Sequence, residues 1–451
     1  MRSRWRSVAL AVLVLLAGCS GLPGGGGDDT DEDRLGWEDG YAYDDPIAVT
    51  PDDGYNETER AALVARTMAR VERIRGLEFN ETVPVGVITR EQYRANRSGG
   101  GSDDHEAWND QVWEGLFIVG ESTGTGESFD DTLGAAVQGY YSPGREEIVI
   151  VSDSATPTID RGTLAHELVH ALQDQQFGLG PAADTQDRQL AVDGVIEGEA
   201  NYIQGQYERR CGGEWDCVPQ PPDANNGGGD ADSFNEGLLL TVYQPYATGP
   251  AFVDSVRQGG LLDGLVGESG WDAVDNLHRN FPDSTEQVIH PDKYPDEKPV
   301  NVTVPDRSND EWERFDHDPV ADTVGEASVY AMFVANGVVD PENRYAYRSR
   351  PSAGWGGDVL VPYRNDDAAP GEGGYVWVTT WDTERDAREF HEAYRDLLER
   401  RGADNPRGNV YVVPESSDFG DAVRVVRDGD RVRIVNAPTA DQLDDVHEPR
   451  N

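Results

Sequence analysis

The sequence predicts an α+β fold on three observations. Apolar residues recur at helical spacing in long runs, β-rich segments lie between turn signals, and a C-terminal helix is flanked by strands. With 451 residues, 37% of them hydrophobic, the chain can bury at least one sizeable core, and about two or three domains at roughly 150 residues each are expected.

The chain opens MRSRWRSVALAVLVLLAGCS. Arg2, Arg4 and Arg6 precede an apolar run, Val8 to Ala17, that is shorter than the ~20 residues of a membrane span. With Cys19 closing the segment, residues 1–19 resemble a lipoprotein signal whose cleavage leaves a lipidated cysteine. Residues 20–54, rich in Gly and Asp, are expected to form a flexible acidic tether.

The body is assigned to residues 55–345. Apolar spacing predicts a helix over 57–76, stopped by Gly76. A strand follows over 83–88, then a capping-box opening, Thr89 to Gln92, for another helix. The polar stretch 98–109 reads as a loop. Residues 139–151 read as a hairpin around Ser142 to Arg145, and helices follow over about 160–175 and 187–209. An irregular insertion spans 211–233, and helical patterns return over 248–256, 270–280 and 323–335. A composition break at Arg348 to Pro351 suggests a small α+β C-terminal domain over 346–451. Its parts are strands at 359–361 and 375–379, a helix over 383–400, and a hairpin over 423–435 turning at Asp428 and Gly429. Trp355 and Trp381 read as core residues of that domain.

Cys211 and Cys217 form an even pair without a nearby histidine, and a short-loop disulfide is the expected state, with a metal-binding pair as the alternative. Sequons begin at Asn56, Asn80, Asn96 and Asn301 and agree with surface exposure.

The chemistry concentrates in two helices. His166, Glu167 and His170 make a His-Glu-X-X-His motif, which random placement would give in about one chain of this composition in a hundred. Four residues is a little over one helical turn, so both imidazoles share a face and can hold one metal ion. Glu167 lies beside them, placed to take a proton from a metal-activated water. A catalytic zinc needs a third protein ligand. The candidates are Glu197 and Glu199, which point about 160° apart on their helix. Glu199 falls on an apolar stripe with Val192, Val195, Ile196 and Ile203, so it needs a partner: a metal, an arginine or a hydrogen-bonded proton.

This pairing of motifs resembles the gluzincin metallopeptidases, in which a glutamate on a second helix is the third zinc ligand. Matching residues 196–200 (IEGEA) to the aminopeptidase-type Asn-Glu-Gly-Phe-Ala pattern puts Glu197 in the ligand position. Asn201 falls where thermolysin-like members carry an aspartate outside the ligand set. The stretches 245–253 (PYATGPAFV), 284–291 (STEQVIHP), 353–358 (AGWGGD) and Trp381 with Asp382 are similar to segments of haloarchaeal surface lipoproteins with this core. The resemblance implies a zincin-like metallopeptidase fold, Zn2+ as cofactor on His166, His170 and Glu197, and Glu167 as general base. Tyr246 and His290 are the candidates for stabilising the oxyanion. Asp174 and Asp193 could orient the imidazoles, or be solvated helix carboxylates.

With 38 Lys+Arg against 85 Asp+Glu the net charge is −47, which opposes a nucleic-acid partner. Lys293 and Lys298 are the only lysines, and this bias points to a protein working in molar salt, where a Debye length of about 3 Å screens self-repulsion. The expectation is a zinc peptidase acting on peptide or protein substrates. It would be bound to the membrane by its N-terminal lipid, on the extracellular face. The alternatives are a non-catalytic surface or envelope protein retaining the fold, and a structural zinc site.

Overall fold

A computed structural model describes residues 34–97, 103–133, 137–154, 156–221, 234–259, 269–365 and 373–449. The predicted signal, Cys19, the tether as far as residue 33 and residues 222–233 of the insertion lie outside these. Helices and short strands mix in an α+β architecture.

A two-stranded hairpin, β1 (Trp37–Glu38) and β2 (Tyr41–Ala42), packs on α1 (Glu57–Arg75). Asn56 and Glu59 close a capping box at the start of α1. Residues 34–54 are therefore not the flexible tether their composition predicts. The cause lies in α1, whose buried Arg66, Arg70 and Glu72 take hydrogen-bond partners from this segment. Arg66 donates to the Asp45 carbonyl at 3.2 Å, Arg70 to the Tyr43 carbonyl at 2.7 Å, and the Gly36 N–H donates to Glu72 at 2.8 Å.

β3 (Val85–Ile88) leads into α2 (Arg90–Arg97). The expected loop at 98–109 is helical from its sixth residue, where α3 (Asp103–Gly115) begins, because Trp108, Val112 and Trp113 bury into the core. α4 (Thr125–Leu133) follows, then β4 (Gly139–Ser142) and β5 (Glu147–Val151). These strands form a mixed sheet in the order β3-β5-β4, with β3 parallel and β4 antiparallel to β5.

α5 (Arg161–Phe177) lies against β4 and carries the histidine motif. Asp160 caps it by accepting from the Thr163 N–H at 2.8 Å. α6 (Gln186–Cys211) carries both candidate glutamates and ends in the Cys211–Cys217 disulfide. α7 (Glu236–Arg257) is longer than the predicted 248–256 and runs through Pro245 and Pro250. Asn235 caps its start at the Leu238 N–H, and its packing along α6 is the largest helix–helix contact of the fold. α8 (Trp271–Leu277) packs on α7, and α9 (Thr285–Ile289) packs on both α6 and α7.

The second sheet is antiparallel, in the order β6-β7-β8-β11-β10-β9. Its strands and helices are β6 (Glu313–Arg314), α10 (Gly325–Ala335), β7 (Trp355–Arg364), β8 (Gly374–Trp381), α11 (Glu384–Arg400), β9 (Val410–Val412), β10 (Ala422–Asp428), β11 (Arg431–Ala437) and α12 (Leu443–Val446). The predicted limit at 345/346 does not break this body. β6 and α10 precede it, and one buried cluster joins Val112 of α3, Leu238 of α7 and Met332 of α10 to Trp377, Phe390 and Val432. Asp358 fastens α10 to β7 by accepting from the Val324 and Gly325 N–H groups, both at 3.0 Å. Trp355 and Trp381 are core residues. No helix among the described residues is long and apolar enough to cross a membrane.

Candidate metal centre

The helical spacing of His166 and His170 puts both imidazoles on the face of α5 that meets α6, where they are buried. Their Nε2 atoms lie 3.0 Å apart. Glu197 Oε2 completes a triangle, 3.1 Å from His166 Nε2 and 3.3 Å from His170 Nε2. Ligand atoms around a tetrahedral zinc, with bonds of about 2.0–2.2 Å, sit about 3.3–3.5 Å from one another. The triangle therefore fits such an ion after a spread of a few tenths of an ångström. Among the described residues this group contains three ligands and no fourth.

Glu199 points away from the triangle. It is wholly buried and ion-paired with Arg75 of α1, and it accepts from His278 Nε2 at 2.7 Å and Gln173 Nε2 at 2.8 Å. Arg75 also pairs with Asp275, and its guanidinium stacks 4.6 Å from the Trp271 ring. Burial alone would raise the Glu199 carboxyl, but Arg75 and His278 outweigh it and hold the group well below the usual carboxylate range. The partner that an acid on the apolar stripe required is an arginine 124 residues away.

Glu167 lies beside the triangle, and the Tyr141 N–H on β4 donates to its Oε2 at 2.8 Å. Burial raises its carboxyl above the ordinary value, opposed by His166 and His170. Burial would lower His170, yet the Glu197 carboxylate and its hydrogen bond push it up; Glu197 is held down in turn, against its own burial.

Tyr246 reaches the site from α7. Burial and the nearby Glu197 charge push its hydroxyl well above the ordinary value, and its ring lies 6.3 Å from that of His166. The approach depends on two glycines. A Cβ on Gly198 would meet the Gly249 carbonyl carbon at 2.5 Å, and one on Gly249 would meet the Gly194 oxygen at 2.4 Å. The α6 and α7 backbones touch at this crossing, one residue from Glu197. His290, the other oxyanion candidate, instead meets Glu326 at 3.1 Å.

The carboxylates considered for orienting the imidazoles have other partners. Asp174 accepts from the Tyr141 hydroxyl at 2.9 Å, and Asp193 accepts from Gln189 at 2.8 Å. Burial, with the nearby Glu197 charge, raises Asp193 to about 7. The acceptor for His170 is Gln173, whose Oε1 lies 2.9 Å from His170 Nδ1. Since Gln173 Nε2 donates to the Ile196 carbonyl and Glu199, its Oε1 must accept, and His170 carries its proton on Nδ1. Nε2 then faces the triangle, where a bound ion would displace its proton. Gln173 is three residues beyond His170, so the same helical-face rule that paired the histidines could have found it.

Two further acidic groups occur. Glu286, Glu297 and Asp382 surround Lys293 Nζ at 2.6, 2.5 and 2.9 Å, so an ammonium already fills that cluster. Glu114, Glu121 and Asp421 join the end of α3 to β10, with Gln111 and Asn436 donating to Glu114 and Asp421.

Fold and site together define an α+β protein with a buried His2Glu cluster and an adjacent glutamate. A family model described as a domain of unknown function (DUF8575) matches residues 313–447. The match covers the second sheet with α10, α11 and α12, and lies wholly beyond α5 and α6. No curated protein and no solved structure matches the chain.

Proposed function

We propose that the protein is a zinc-dependent peptidase of gluzincin type, lipid-anchored through Cys19 at the extracellular face of a membrane in a high-salt environment. The observation that carries this reading is the triangle of His166, His170 and Glu197 with Glu167 beside it, while Arg75 occupies Glu199. A His2Glu set with no fourth protein ligand among the described residues suits a catalytic ion better than a closed structural one. The arrangement of α5 and α6 beside a small sheet ending in β4 supports a zincin-like core.

His166, His170 and Glu197 would hold the zinc, which would supply a Lewis acid for a peptide carbonyl and for water near neutral pH. Glu167 takes the proton of the attacking water. Its Oε2 is held by the Tyr141 N–H, which leaves Oε1 to accept the proton and pass it to the leaving amine. Gln173 fixes the His170 tautomer, and the Tyr246 hydroxyl is the donor available to the developing oxyanion. β4 offers the edge against which an extended peptide can lie.

The test is metal analysis together with a peptide-library assay in molar KCl, on wild type and Glu167→Gln. The expected outcome is one zinc per chain in both, with turnover falling about 10²–10⁴-fold in the variant. Zinc binding without wild-type turnover across a broad library would favour the non-catalytic surface protein. Absence of bound zinc would overturn the metal reading altogether.

A further inference from the structure

Few large hydrophobic side chains are exposed among the described residues, and two of them meet each other. Tyr243 is 40% exposed and Tyr345 is 43% exposed. They continue a line of rings that begins at the site. His166 stacks with Tyr246 at 6.3 Å, Tyr246 with Tyr243 at 5.8 Å, and Tyr243 meets Tyr345 edge-on at 5.1 Å. The ladder runs from a candidate zinc ligand to solvent, on a protein whose surface is otherwise dominated by carboxylates.

The outer rung is held in place. Tyr345 sits in a short 3-10 turn, Arg344–Ala346, where Asn343 accepts from its N–H at 3.1 Å. On one side the Tyr330 hydroxyl donates to the Arg344 carbonyl at 2.9 Å. On the other, the buried Tyr347 hydroxyl donates to the Leu240 carbonyl of α7. An Arg344–Glu236 ion pair joins the same turn to the start of α7. Two elements distant in sequence are thus fastened so that their exposed tyrosines meet. Ring faces in water gain little for the fold, but a rigid aromatic surface next to a reaction centre offers a bound side chain contact at low entropic cost.

We propose that Tyr243 and Tyr345 form a subsite for a bulky aromatic or aliphatic side chain of the peptide, close to the bond that is cleaved. This rests on the peptidase reading for the bond but not for the contact. An acidic side chain is disfavoured there, because it would lose hydration against uncharged rings on a strongly negative protein.

Matched peptides carrying Phe, Ala or Glu at each position around one cleavable bond test the proposal, in molar KCl, with wild type, Tyr243→Ala, Tyr345→Ala and Tyr243→Phe. Binding of the same peptides to zinc-loaded Glu167→Gln, with and without each tyrosine change, is measured by calorimetry. At one position Phe should exceed Ala by at least about tenfold in kcat/KM. Each alanine change should remove most of that preference while zinc content and Tm stay unchanged, and Tyr243→Phe should keep it. Phe-peptide binding to the inactive protein should weaken in parallel. Equal losses for Phe and Ala peptides, or no binding to the inactive protein, would overturn the subsite. Tyrosine-dependent binding with no wild-type turnover would uphold the subsite and overturn the peptidase reading.

Discussion

Removing Arg75 tests the division of labour between the two glutamates of α6. In Arg75→Met the Glu199 carboxylate stays wholly buried and keeps only His278 at 2.7 Å and Gln173 at 2.8 Å. Asp275 also loses its partner, but it is partly exposed and water can replace the guanidinium. The cost therefore falls on Glu199, and breaking one partner out of a buried pair costs about 3–5 kcal/mol. Glu199→Gln is the milder change, because Arg75 retains Asp275 and the Trp271 face. In the double variant no uncompensated carboxylate remains on the apolar stripe. It should be more stable than Arg75→Met alone, with a coupling of at least about 2 kcal/mol. Urea unfolding in molar KCl, followed by circular dichroism, measures the four corners of the cycle without adding a charged denaturant. Zinc affinity by chelator competition is the second readout. Gln173→Leu deprives the His170 Nδ1–H of its acceptor and should weaken zinc about 10–100-fold. If Arg75→Met costs under about 1 kcal/mol, or the double variant is additive, Glu199 is not held by charge pairing and its exclusion from the metal loses its basis.

Four other outcomes follow from packing, ion pairing and burial. Gly249→Ala puts a methyl group into the Gly194 carbonyl, so α6 and α7 must separate; stability should fall by about 2 kcal/mol or more, with weakened zinc binding, by urea unfolding and chelator competition. Lys293→Met leaves Glu286, Glu297 and Asp382 facing one another and should cost about 2–4 kcal/mol in the same unfolding assay. Lys298→Met, with only an exposed pair to Asp283, should change stability by less than about 1 kcal/mol. Burial, helped by Arg433 and Arg307, lowers His447 to about 4, against about 6.5 in the unfolded chain. The unfolded state then binds the extra proton, so stability is full above about pH 6.5 and declines as pH falls toward 4. His447→Gln should flatten that part of the stability–pH curve relative to wild type.

The meeting of His166, His170 and Glu197 was legible because its parts are local. Two histidines four apart follow from helical periodicity, Glu197 followed from the resemblance to the gluzincin pattern, and the apolar stripe around Glu199 announced a missing partner. The identity of that partner was not legible, since Arg75 meets Glu199 only through the packing of α1 on α6. Residues 34–54 misled for a related reason. Glycine and aspartate content describes what a segment does alone, whereas this one is recruited by buried arginines of α1. Pro245 and Pro250 hid most of α7, because local propensity gives way where a helix packs along its length against another. The limit expected at 345/346 rested on composition, and composition does not register that α3, α7 and α10 share a core with the second sheet.

Packing on two sides explains why Glu197 and Glu199 cannot exchange roles by a small motion. Two residues along a helix are about 160° apart, so bringing Glu199 to the imidazoles means rotating α6 by nearly half a turn. Two contacts oppose that rotation: the Gly198–Gly249 crossing admits only glycine at the α7 interface, and Arg75 with His278 holds Glu199 from α1 and α8. Rotation would drive a side chain into the α7 backbone and strip a buried carboxylate of its arginine at once. The placement of Glu197 beside the two imidazoles and of Glu199 against Arg75 thus belongs to the three-helix packing of α1, α6 and α7. Either glutamate satisfies the local motif; only one satisfies the neighbours.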